Sequence, residues 1–301
     1  MVKDYYYPSA GAGEIRARCW HPDSELKGIV QLVHGIAEHV ERYDDFAAYL
    51  CSNGYLVVAE DHMGHGKSTG PKGYFHGGWF TAVKDTYQLT LETKIAYPGI
   101  PYILFGHSMG SLMVRTILAD YPDSGIRGAV ICGTGWMPEA VLTAGKIVAN
   151  AVCKWKGSQN PSKLLQTMAF GNYNNRVEHP RTEFDWLTRD TRIVCQYIAD
   201  PTCGFTTSAG LARDMLSGMQ YIQKASTLAK MDLETPVFFI AGGEDPVGNY
   251  GVGVKQTAKA FRDIGMQNVT TKLYPLCRHE ILNEINRIDV YRDIMNWIRT
   301  I

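Results

Sequence analysis

Gly106-His107-Ser108-Met109-Gly110 lies directly between an apolar run, Tyr102-Ile103-Leu104-Phe105, and an apolar-periodic stretch, Leu112 to Leu118. That order predicts a strand, a tight turn and a helix. Glycines two before and two after the serine let strand and helix approach closely, and the serine between them is forced into a strained, exposed backbone conformation. The chain carries 30 glycines, so the pentapeptide alone is weak evidence, and its flanks make it specific. Ser108 is the candidate nucleophile.

A serine hydroxyl near neutral pH needs a histidine base and an acid to orient that base, in the chain order Ser, Asp or Glu, His. Val237-Phe238-Phe239-Ile240-Ala241 reads as a buried strand followed at once by Gly242-Gly243-Glu244-Asp245-Pro246. Asp245 is the expected acid because its short side chain suits a loop tip, with Glu244 as the rival. Val269 to Tyr274 is a second strand-like run, and Arg278-His279-Glu280 follows it. Of the 9 histidines, His279 alone follows the last strand signal in the required order. In a parallel sheet these loops share one edge, so Ser108, Asp245 and His279 are expected to converge there. An oxyanion hole needs two backbone N–H groups. Met109, after the nucleophile, should supply one, and Ile36, in the His34-Gly35-Ile36 loop after the Gly28–Val33 run, the other.

Helical and strand-like patterns alternate along the chain. Tyr43, Phe46, Ala47, Leu50 and Cys51 form one helical face, and Tyr55 to Ala59 follows as a buried run. Ala82 to Ala96 reads as a helix, Gly128 to Cys132 as a strand, and Ile288, Tyr291, Ile294, Met295 and Ile298 as one face of a final helix. Such alternation implies an α/β fold, a mainly parallel sheet with helices on both faces. Between Cys132 and Val237 the rhythm stops, giving helical patterns and no buried strand. The expected organisation is a core of residues 1–135 and 231–301, with an inserted helical cap over 136–230 above the site. The stretch holds Trp136, Met137, Val141, Leu142, Ile147, Val148, Leu164, Leu165, Met168 and Phe170; half or more should form the cap's own core, and an apolar underside made by the rest would suit an acyl chain.

Thirty basic residues balance 30 acidic ones, so no net charge draws the chain to nucleic acid. No signal-peptide pattern and no apolar window of membrane-spanning length occur, and the expected location is the cytoplasm, without stable membrane insertion. The 7 cysteines lack C-x-x-C spacing and read as reduced thiols, Cys277 alone lying near the chemistry in sequence. His62-x-x-His65 beside Asp61 lacks a third ligand and reads as a turn at Gly64 and Gly66, and Lys67-Ser68 lacks the spacing of a phosphate loop. No metal or cofactor is expected.

Five ordered motifs resemble the α/β-hydrolase superfamily, within it the lysophospholipase and monoacylglycerol lipase-like group that is also classed with the S33 serine aminopeptidases. They are His34-Gly35-x-x-Glu38-His39-x-x-Arg42-Tyr43, Asp61-His62-x-Gly64-His65-Gly66-x-Ser68, the serine pentapeptide, Gly243-x-Asp245-Pro246 and Arg278-His279-Glu280-Ile281-Leu282-Asn283-Glu284. Trp186-Leu187-Thr188-Arg189-Asp190 resembles a cap motif of the same group, and Leu276-Cys277 departs from its small residues. The resemblance implies the α/β-hydrolase fold with an inserted helical cap, the triad Ser108, Asp245 and His279, oxyanion donors Ile36 and Met109, and Glu38, His39 and Arg42 near the mouth as substrate-binding residues. The expected activity is cofactor-free cleavage of small-molecule, single-chain acyl esters through an acyl-serine. Peptidase or amidase action on the same triad is the alternative, and a non-catalytic binding protein on this fold is a third reading.

Overall fold

Strands of almost continuous apolar side chains are stable only where both faces of the sheet are covered. The computed structural model, which describes residues 1–301, has that arrangement. Its strands are β1 (Val2–Pro8), β2 (Glu14–Trp20), β3 (Gly28–Val33), β4 (Tyr55–Glu60), β5 (Tyr102–His107), β6 (Gly128–Cys132), β7 (Val237–Gly242) and β8 (Val269–Tyr274). They form one sheet in the order β1-β2-β4-β3-β5-β6-β7-β8. β1 and β2 form an antiparallel hairpin joined antiparallel to β4, and all other pairings are parallel. The five strands β3 to β7 are buried at every residue, as their runs predict.

Helices α1 (Asp44–Ser52) and α10 (Arg287–Ile298) cover one face, while α2 (Trp79–Ala96), α3 (Met109–Asp120) and α9 (Val252–Asp263) cover the other. Successive strand side chains alternate between these layers: Phe238 and Ile240 pack with Phe46 and Tyr291, whereas Phe239 packs with Phe261. α2 starts three residues before the expected Ala82 because Trp79 is buried against Gly218, where an added Cβ would lie 2.3 Å from the indole. In the last helix Val290 is buried and Ile288 is 53% exposed, which corrects the expected apolar face.

Between β6 and β7 the chain forms five helices and no strand of the sheet: α4 (Glu139–Lys156), α5 (Lys163–Phe170), α6 (Thr191–Ala199), α7 (Ala209–Gln223) and α8 (Ala225–Leu228). Ser162, Asp190 and Ser208 cap α5, α6 and α7 by accepting backbone N–H bonds. α7 packs on α3, α2 and α4, so these helices rest on the layer that follows Ser108. No helix is long and apolar enough to cross a membrane.

Candidate active site

β5 runs straight into Ser108, whose φ of 52° and ψ of −119° place it in the strained region, and α3 begins at the next residue. A Cβ on Gly106 would sit 2.5 Å from the Gly110 carbonyl oxygen, and one on Gly110 would sit 2.0 Å from that of Val33. Both glycines are therefore required by backbone approach. The Ser108 N–H donates to the Cys132 carbonyl at 2.9 Å, pinning the turn to β6.

Asp245, fully buried after β7, accepts from His279 Nδ1 with both carboxylate oxygens at 3.0 Å. Glu244 is exposed and takes no part. With Nδ1–H committed to Asp245, the Nε2 lone pair of His279 is free to accept a proton. The His279 ring meets the Trp186 ring at 5.2 Å between centroids, and the Glu280 N–H donates to the Leu187 carbonyl at 2.7 Å, so the 186–187 segment clasps the histidine loop. His279 and Ser108 line the same cavity, without a hydrogen bond between them. Such bonds are often long before substrate arrives.

The loop after β3 approaches from the opposite side. A Cβ on Gly35 would lie 3.1 Å from Ser108 Cβ. Ile36 and Met109 both line the cavity, and neither amide donates to a loop carbonyl. Met109 at the first turn of α3 is one of the orphan donors of a helix N-terminus. Ala37, at φ 53°, offers its carbonyl to Tyr197 Oη and to the Gly204 N–H, both at 3.0 Å.

Behind this loop lies a buried ionic network. Glu38 Oε1 accepts from the Gly35 N–H at 2.6 Å and Tyr43 Oη at 2.9 Å and meets His107 Nδ1 at 3.2 Å, while Oε2 accepts from Arg42 at 2.6 Å. Arg42 also grips Glu280 with two bonds, at 2.5 and 2.6 Å. Burial alone would raise the Glu38 carboxyl, but the His107 bond and the Arg42 charge hold it well below the usual carboxylate range. His107, which burial would lower, is raised by Glu38. Of the three expected substrate contacts, Glu38 reaches the cavity wall, and His39 and Arg42 do not. Arg42 is consumed by its two carboxylates. His39 points to Glu41 and Asp200, each at 2.8 Å.

The cavity above Ser108 has a volume of about 780 Å³, and 23 of its 40 lining residues are hydrophobic, so it suits an apolar ligand more than a polar one. Met137, Val141, Val148, Leu165, Met168 and Phe170 all reach it. Leu142 is instead fully buried in the core, and Ile147 and Leu164 face outward.

Asp61, His62 and His65 form the expected turn. Asp61 accepts from Arg16 and from the Val40 and Lys67 amides, and His62 Nε2 bonds the His34 carbonyl. Burial and the neighbouring imidazoles push His34 well down and His65 to about 3, so both are neutral. Cys277 is buried away from the cavity, donating to Asn286 Oδ1 at 3.3 Å, and Leu276 before it takes a positive φ of 63°. The sequence reading did not find Tyr43, His107, Glu280, Tyr197 or Trp186 as supports of the site. Tyr43, Glu280 and Trp186 lie inside the motifs that carry the resemblance and His107 adjoins Ser108, whereas Tyr197 has no local signal.

Residues 24–286 match the family model described as "Serine aminopeptidase, S33". The chain is 29% identical over 293 residues to a monoacylglycerol lipase of Mycolicibacterium smegmatis, covering 96% of this chain and 95% of that one. It is 26% identical to the human monoglyceride lipase, with 93% and 85% covered. A highly thermostable carboxyl esterase from Bacillus coagulans, solved in complex with glycerol, superposes with a TM-score of 0.91 at 30% identity, covering 100% and 98% of the two chains. The chain belongs to the S33 serine aminopeptidase family of α/β hydrolases, in its monoacylglycerol lipase-like group, and is an enzyme with carboxylic ester hydrolase activity.

Proposed function

We propose that Ser108 attacks the ester carbonyl of a single-chain acyl substrate, of monoacylglycerol or lysophospholipid type, and carries the acyl group as an intermediate. The observation that carries this reading is the meeting of Ser108 and the Asp245–His279 pair at the floor of one large apolar cavity. His279 Nε2 takes the Ser108 proton and passes it to the leaving alcohol; it then takes a proton from the water that attacks the acyl carbon and returns it to Ser108 Oγ as the acyl–oxygen bond breaks and the acid leaves. Asp245 holds the tautomer and steadies the imidazolium. The Ile36 and Met109 amides receive the developing oxyanion. Residues 136–230 act as the cap that roofs the chain-binding space.

Size supports one chain. At about 30 Å³ per non-hydrogen atom, the liquid share of one water, the 780 Å³ cavity holds roughly 26 atoms. A palmitoyl glycerol has about 23 such atoms and fits, a lysophospholipid with about 33 fits only with its head group outside the mouth, and a second chain would overfill the space. The glycerol complex of the Bacillus coagulans esterase fits a small polyol leaving group. A free amino terminus, which an aminopeptidase must hold, would require an unpaired carboxylate. Glu38 and Glu280 share Arg42, so Glu183, exposed and unpaired on the cavity wall, is the one carboxylate that could serve, and cleavage of aminoacyl anilides tests it.

Intact-mass analysis after a fluorophosphonate probe should show one adduct mapping to Ser108, and Ser108→Ala should abolish both labelling and turnover of monoacylglycerol and lysophospholipid. Turnover surviving in Ser108→Ala, or preferred cleavage of aminoacyl anilides, overturns the proposal.

A further inference from the structure

His39, Asp200 and Cys203 bring an imidazole nitrogen, a carboxylate oxygen and a thiol sulfur within 4.8 Å of one another. None of the three lines the cavity or belongs to the esterolytic machinery. His39 lies on the core loop that carries Ile36 and Glu38, whereas Asp200 and Cys203 lie on the turn after α6, 161 residues from His39 at the nearer of the two. That separation is why no spacing in the sequence announces the group. We propose that these side chains form a binding site for a zinc-like divalent transition-metal ion, bridging the 136–230 segment and the oxyanion-side loop.

The donors are organised as such a site requires. His39 Nδ1 is held by Glu41 Oε2 at 2.8 Å, which aims Nε2 at the other two ligands, and a carboxylate on the far imidazole nitrogen is the usual outer support of a metal-bound histidine. Asp200 Oδ1 is occupied by the Thr202 amide and hydroxyl at 2.7 and 2.5 Å, leaving Oδ2 pointing at His39 at 2.8 Å. The Cys203 N–H closes the turn onto the Asp200 carbonyl at 3.0 Å, setting sulfur and carboxylate on the same side. Ligand atoms around a tetrahedral zinc lie about 3.3 to 3.5 Å apart, so the His39–Asp200 pair widens by roughly half an ångström and the sulfur closes in.

The donor chemistry selects the ion. A thiolate, an imidazole and one carboxylate favour Zn²⁺ or Co²⁺ and disfavour Mg²⁺ and Ca²⁺, which take all-oxygen shells. Cys203 and His39 are buried and Asp200 is half-exposed, so entry is from the Asp200 side, and water completes the shell. On binding, the thiol proton and the His39 Nε2 proton leave to solvent. The bound ion would also act on the neighbouring contacts: Ala37 already takes hydrogen bonds from Tyr197 and Gly204 across the same seam, and a coordinate bond there would lock the seam shut.

The test uses the full chain after EDTA dialysis, titrated with ZnCl₂ by calorimetry and with CoCl₂ by absorption spectroscopy. The proposal expects one site of micromolar affinity or tighter, a rise in Tm with Zn²⁺, and a thiolate-to-cobalt charge-transfer band with tetrahedral d–d bands. Cys203→Ser should remove the charge-transfer band, and Asp200→Asn should weaken Zn²⁺ at least tenfold while the protein stays folded. Cys195→Ser, at an exposed thiol outside the group, should change neither. Absence of stoichiometric binding would leave the group as a hydrogen-bonded clasp and overturn the site, as would a charge-transfer band that persists in Cys203→Ser.

Discussion

Lengthening the acyl chain of a p-nitrophenyl ester tests the cavity and its roof together. Each methylene moved from water to an apolar wall contributes about 0.8 kcal/mol, and if that is realised in the transition state kcat/KM climbs about fourfold per carbon. p-Nitrophenyl laurate has about 23 non-hydrogen atoms, within the roughly 26 that 780 Å³ admits, so the climb should continue to laurate. Val148, half-buried on α4, lines the wall, and Val148→Trp places about seven more atoms in the same space. The variant then holds roughly 19 atoms, the size of the octanoate ester. Four methylenes lose their contacts, about 3.2 kcal/mol in all, so laurate should fall about 200-fold while acetate and butyrate keep their rates.

The assay is kcat/KM for the series from acetate to laurate, held below each ester's aggregation limit, for both proteins. A flat wild-type series would show that the apolar wall does not bind the chain. Equal losses on acetate and laurate in Val148→Trp would show that the substitution damaged the floor of the site instead.

Asp245→Asn should lower kcat on the order of 10⁴-fold, since the amide cannot hold the productive tautomer of His279, whereas Glu244→Gln at the exposed neighbour should keep most activity; the reverse pattern in steady-state kinetics reassigns the acid. Arg42→Met leaves the buried Glu280 without a cation and Glu38 with only His107, and should cost about 3–5 kcal/mol in urea unfolding, and a loss below about 1 kcal/mol would mean that water already reaches the network. Burial holds the Asp85 carboxyl up at about 6, so the folded chain keeps a proton that the unfolded chain has released. The stability this contributes is complete at low pH and is lost as pH rises through about 4 to 6. Unfolding free energies of wild type and Asp85→Asn should therefore diverge across that window in favour of the variant, and a gap independent of pH refutes the assignment.

What could be read from the chain beforehand divides along a physical line. Gly106, Ser108 and Gly110 were legible because close backbone approach forbids a Cβ at both glycines, whatever surrounds them. The strands β3 to β7 were legible because burial on both faces leaves no polar alternation to confuse the reading. β1 failed that test: six of its seven residues, all but Tyr7, are not buried, so its sequence carries no burial signal. α9, between Asp245 and β8, does carry one, since Val254, Ala258 and Phe261 fall at i, i+4 and i+7 on its buried face and give the segment a helical period of its own.

The supports of the site are a different case. Arg42 meets Glu280 across 238 residues and Tyr197 reaches Ala37 across 160, and any arginine, glutamate or tyrosine of suitable length would have served at those ends. Local residue types therefore carry the proposed chemistry, a serine at a strained turn and a histidine on a strand-end loop, each readable from its own segment. Partnership across the sheet edge fixes the geometry, and the sequence records each partner without recording the pairing. His39 shows the consequence. Its motif placed it beside the substrate, but Glu41 on its own loop and Asp200 from the far segment claim both ring nitrogens, and the imidazole turns away from Ser108 toward the seam.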